Sequence, residues 1–188
     1  ILYLVGTVRD QARTLECQSN QHQLQVGLYG YSMEHSGRFI SPRTKDLDDL
    51  PIDLLWVRSY NGEGEVRLNP NGTEKANALH DGALWDYVGD ERVYSSPLDP
   101  TGRLRSYSLN GFISDLPDND QNPEYSWGPV ADRMSKVKSP ANTLLSCPEN
   151  DGLPCNLHGF VINVYLDLWI DYPIDWFDPG KTTIGFAD

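Results

Sequence analysis

The chain has 188 residues, 39% of them apolar, and its 27 acidic side chains against 15 basic ones leave a net charge of −12. That length supports one hydrophobic core but hardly two full domains, and the negative field repels phosphate backbones, which argues against nucleic acid as a partner. The charge is unevenly placed: residues 1–45 hold five Lys/Arg and three Asp/Glu, whereas residues 46–188 hold ten and 24.

The first predicted element is a helix. Residues 1–8 are an apolar run that meets charge at Arg9, too short to cross a bilayer, which takes about 20 residues. The run has no initiator Met, so the chain is expected to start part-way into a longer apolar segment. From Val5 onward Val5, Val8, Ala12, Leu15, Val26, Tyr29 and Met33 fall on alternating steps of three and four, with Ser19 and His22 in the intervening slots. That spacing is a helix seam. No proline occurs before Pro42, and Gly37 stands where a helix would stop. A helix over residues 1–36 would be on the order of 54 Å long at about 1.5 Å per residue. It would outreach the domain that the remaining residues can build, so its apolar end should protrude.

Beyond Gly37 the pattern changes. The 19 Asp against 8 Glu, with 16 Gly and 13 Pro, favour turns and caps. Residues 53–57, 143–146 and 160–165 have the length and the β-branched or aromatic content of strands, and turn clusters at 60–64, 69–72 and 114–120 separate them. The expectation is an α+β fold of two parts, an assembly helix (1–36) packed on a small antiparallel β-sheet head (37–188) with long loops.

Within the head, Asp118, Asp120, Asn122 and Glu124 alternate oxygen side chains along one stretch, a donor set suited to Ca2+, although the same residues also suit a solvated turn. Asp171, Asp175 and Asp178 form a second acidic cluster near Trp169 and Trp176. Carboxylates among aromatics also suit a carbohydrate-binding or glycoside-hydrolysing cleft, and this is the alternative reading. Cys147 and Cys155 bracket a turn-rich segment, which predicts a disulfide-closed loop if the protein is exported; two thiols are the other reading. There is no G-x-S-x-G, no H-E-x-x-H and no phosphate-cradling glycine loop, so no catalytic role is expected. His22 falls on the seam, where a packed neutral imidazole is expected in place of a ligand or base.

The stretch from Ala12 to Leu28, followed by Tyr31 and Ser36-Gly37-Arg38-Phe39, resembles the helix end of bacterial prepilin-type proteins, the type II secretion pseudopilin-like group common in planctomycetes and verrucomicrobia. Further blocks follow in the family's order: Gly82-Ala83-Leu84-Trp85-Asp86-Tyr87-Val88, Val93 to Pro100, Arg105-Ser106-Tyr107-Ser108-Leu109-Asn110-Gly111, Val137 to Leu145, and Gly185-Phe186-Ala187-Asp188. Asp178 takes the slot of the His that precedes the family's Asp-Gly tail, and Ser95 is matched to its second cysteine, leaving Cys17 without that partner.

The resemblance implies a pilin-like fold and a structural subunit of a type IV pilus-like or type II secretion pseudopilus filament. Its partners would be copies of itself, joined through Val5, Val8, Ala12, Leu15, Ser19, His22 and Val26, and the inner-membrane assembly machinery. The implied location is an extracellular cell-surface filament, reached from the inner membrane. A structural calcium near the C-terminus is implied by the same analogy.

Overall fold

A computed structural model describes residues 2–44, 55–58, 78–99, 104–113, 131–149, 159–160, 162–163, 168–169 and 183–187. Helix α1 runs Leu2–Glu34, close to the expected span. No described helix is long and apolar enough to cross a membrane. Its end is built as a Schellman turn: the Gly37 N–H donates to the Ser32 carbonyl at 2.7 Å, with Ser36 at φ 58° and Gly37 at φ 82°. Arg133 donates to the Ser36 carbonyl at 3.0 Å, fastening the exit to the head.

The head is led by an antiparallel sheet in the order β1-β2-β5, where β1 is Tyr107–Leu109, β2 Leu144–Pro148 and β5 Gly185–Phe186. Tyr107 pairs with Pro148 and Leu109 with Ser146, while β2 and β5 pair at Leu144–Phe186 and Ser146–Gly185 across a bulge. A separate two-stranded ladder joins β3 (Ile162–Asn163) to β4 (Leu168–Trp169). One long N-terminal helix on a small antiparallel sheet is the α+β arrangement expected, and the layout is compatible with a pilin.

The expected strand at 53–57 is different. Residues 53 and 54 lie outside the described residues, and Leu55 makes only an isolated parallel bridge to Ser41. The reason is local. The Leu55 and Trp56 carbonyls accept from Ala83 and Leu84 of a neighbouring loop, so they are not offered to a sheet. A Cβ on Gly82 would lie 2.3 Å from the Trp56 carbonyl oxygen, so only glycine allows this approach.

The core lies between α1, the sheet and this loop. Leu24, Leu28 and Tyr31 of α1 are buried with Trp56, Leu79, Leu84, Tyr94, Tyr107 and Leu145. The one-turn helix Trp85–Val88 sits in a notch on α1: a Cβ on Gly27 would come within 2.7 Å of Val88, and one on Gly30 within 2.9 Å of Tyr87. The Tyr87 hydroxyl donates to Glu34 at 2.8 Å, and burial together with that carboxylate pushes Tyr87 up to about 12.

Candidate functional site

Helix α1 presents two faces of opposite chemistry. On the outer face Val8, Ala12, Leu15, Ser19, His22 and Val26 are all exposed, with Leu15 at 65% and Met33 at 82%. At about 100° per residue these positions fall within roughly 80° of one another around the helix axis. Arg9, Asp10, Arg13, Glu16 and Glu34, the charged residues of the helix, all fall outside that arc. From Cys17 to Met33 the helix contains no Asp, Glu, Lys or Arg. The result is an exposed strip without formal charge on a chain of net charge −12. None of the residues from Gly6 to Glu16 is buried, and among the described side chains Cys17 is the first in the core.

The inner face keeps the same step of three and four through Cys17, Gln21, Leu24, Leu28 and Tyr31, all buried. Part of what α1 buries is polar: Cys17, Asn20 and Gln21 are answered by the head, whereas the buried Ser32 hydroxyl has no hydrogen-bond partner. The Cys17 sulfur lies 3.0 Å from the Tyr107 hydroxyl, 2.9 Å from Thr183 Oγ1 and 3.3 Å from Ser96 Oγ, which donates to it. Burial is the main reason that the Tyr107 phenol is raised well above its ordinary value, and its contact with Cys17 adds to this. The side chain beside Cys17 is thus Ser96, one position on from the Ser95 that the resemblance suggested; the Ser95 carbonyl instead accepts from Asn20 Nδ2 at 3.0 Å.

Further along, α1 closes the outer edge of β5. Gln21 Nε2 donates to the Thr183 carbonyl at 3.1 Å and its hydroxyl at 2.7 Å, Gln25 Nε2 donates to the Phe186 carbonyl at 2.6 Å, and the Tyr29 hydroxyl donates to the Ala187 carbonyl. Residues 21, 25 and 29 are one turn apart, so one ridge of the helix satisfies the carbonyls of Thr183, Phe186 and Ala187, in and beside β5. Tyr29 therefore belongs to this ridge and not to the outer seam. Between the ridge and the outer face runs an open groove of about 100 Å³, lined by Gln18, His22, Gln25, Ile184 and Gly185.

Sequence patterning identified the outer row and missed the inner one: Leu24, Leu28 and Tyr31 keep its step, but where it enters the core it is built of Cys17, Asn20 and Gln21, which carry no hydrophobic signal. The side chain of Val5 lies outside what is described. So do Asp118, Asp120, Asn122, Glu124, Asp171, Asp175, Asp178, Trp176 and Cys155; Cys147 is buried on β2. Among the described residues no group of three His, Cys, Asp or Glu is placed to hold a metal ion. The chain matches no protein-family model, no curated protein and no solved structure.

Proposed function

We propose that this chain is a structural, non-catalytic subunit of a type IV pilus-like or type II secretion pseudopilus filament, polymerising through α1. The observation that carries the reading is the exposed, charge-free row from Val8 to Met33 on a helix of which none of residues 6–16 is buried by its own head. An apolar row of that extent needs another surface to cover it. Copies related by a rotation that does not close cover it by forming a helical polymer. The acidic head then keeps the outside of the polymer solvated. Export to the cell surface, passage through the inner membrane, contact with an assembly machinery and a structural Ca2+ belong to the same proposal, and they rest on the family resemblance.

Electron microscopy of concentrated protein tests it. Helical filaments are expected from the native chain. Val8→Asp should remove them while leaving the circular dichroism of the head unchanged, because it places an unpaired carboxylate in the dry contact. A native chain that stays monomeric at every concentration refutes the reading.

A further inference from the structure

The two methionines of the chain stand in different surroundings. Met33 is the most exposed large apolar side chain among the described residues, at 82%, whereas Met134, at 36%, belongs to the head, where it opens the single turn Met134–Lys136. Met33 lies 18 residues beyond Leu15, which at about 100° per residue is about five whole turns, so the two share one side of α1. Its charged neighbour in sequence, Glu34, is turned to the head, where it accepts from the Tyr87 hydroxyl. A thioether therefore stands open to solvent at the C-terminal end of the uncharged row.

That sulfur has a chemistry its companions in the row lack. The side chains of Val8, Ala12, Leu15 and Val26 are saturated hydrocarbon, while a thioether lone pair attacks a peroxide. In that step sulfur bonds to one oxygen of hydrogen peroxide, the O–O bond breaks and the other oxygen leaves as water; sulfur gives up two electrons and the peroxide takes them. An apolar side chain becomes a polar sulfoxide, whose oxygen is costly to cover without a hydrogen-bond donor. Covering and oxidation therefore oppose each other reciprocally: a covered thioether is out of reach of the peroxide, and an oxidised one resists being covered.

We propose that Met33 is a modification site, oxidised to the sulfoxide by a hydroperoxide in the free subunit, and that the sulfoxide blocks assembly. The inference rests on the filament reading and adds a chemical control to the same surface.

The test treats the 188-residue chain with dilute hydrogen peroxide before and after assembly, reads oxygen uptake at each methionine by peptide mass spectrometry, and measures the concentration needed for assembly. Met33 should react faster than Met134 in the free chain and be shielded relative to Met134 in filaments. Sulfoxide at Met33 should raise the concentration needed for assembly by about ten-fold or more, and a dithiol with methionine sulfoxide reductase should bring it back. Whatever Met33→Leu does by itself, peroxide should shift its assembly no further, because leucine has no sulfur to oxidise. Filaments that form equally well with Met33 oxidised, or a Met33→Leu chain that responds to peroxide as the native one does, overturn the modification site and leave the filament reading standing. No self-association of the native chain overturns both.

Discussion

The Cys17 sulfur and the Ser96 hydroxyl lie 3.3 Å apart, although 79 residues separate them in sequence. Replacing that hydroxyl by a thiol brings two sulfurs within a small rotamer change of bonding distance, about 2.05 Å. Ser96→Cys should therefore form a 17–96 disulfide on mild oxidation. A loop of that size is worth about 4 kcal/mol by the chain-entropy argument, less any strain. A mass lower by two hydrogens and a Tm raised only without reductant are the expected signs; a variant that keeps both thiols under oxidant contradicts the geometry.

Gln21 tests the closure of the β5 edge. Its amide donates to both the carbonyl and the hydroxyl of Thr183, so Gln21→Ala leaves polar groups unanswered beside a buried helix face. A loss of about 1–3 kcal/mol in urea unfolding is expected, with faster hydrogen exchange at residues 185–187 than elsewhere in the sheet. An unchanged urea midpoint would show that the edge is held by other means.

The helix glycines should respond with opposite signs. A Cβ on Gly27 would press to 2.7 Å from Val88 and 3.2 Å from Leu84, whereas one on Gly6 meets nothing within 4 Å. Gly27→Ala gains up to about 1 kcal/mol of helix propensity but overpacks the notch by about 1–3 kcal/mol, so a net loss is expected. Gly6→Ala has only the gain. Thermal unfolding of the pair decides, and a Gly27→Ala variant as stable as Gly6→Ala would mean the notch yields freely.

Alkaline conditions should weaken the fold through its buried phenols. Tyr94 and Tyr107 are raised by burial, and Tyr87 to about 12 by burial and Glu34. The unfolded reference is about 10. Below that pH both states keep the proton and the stabilisation is complete. As pH rises past about 10 the unfolded state loses protons that the folded state retains, and stability falls; for Tyr87 the window runs from about 10 to 12. The urea midpoint should drop across that range, and phenolate absorbance of the folded protein should show fewer than its ten tyrosines titrating near 10. All ten titrating together would contradict the burial of these rings.

What the sequence made legible follows interaction range. Helix α1 was readable from Val5 to Gly37 because its seam and its stop are local. The segment Thr143–Ser146 was readable because an apolar, β-branched run of strand length needs no partner to be noticed, and it became β2. By contrast β1 was recognisable only as a block resembling the prepilin-type proteins, and β5 is two residues long. The inner face escaped because its meaning lies in distant partners: Tyr107 is 90 positions from Cys17, and Thr183 is 166. A serine or a cysteine in isolation does not announce such a neighbour. Residues 55–57 looked like a strand by composition, and loop 82–84 claimed their hydrogen bonds.

Because residues 6–16 of α1 are not buried while its C-terminal half is one wall of the core, a force applied to the helix would reach the head through that wall. A pull on the N-terminal half along the helix axis cannot peel the contacts one at a time. Leu24, Leu28, Tyr31 and the Gln21–Thr183 bonds are strung along one rigid rod and must slide together against the sheet. Shear of this kind is resisted by all of them at once, and the rate of rupture under load follows the unfolding barrier and not the equilibrium stability. The head is thus fastened to its rod in the geometry that best bears tension.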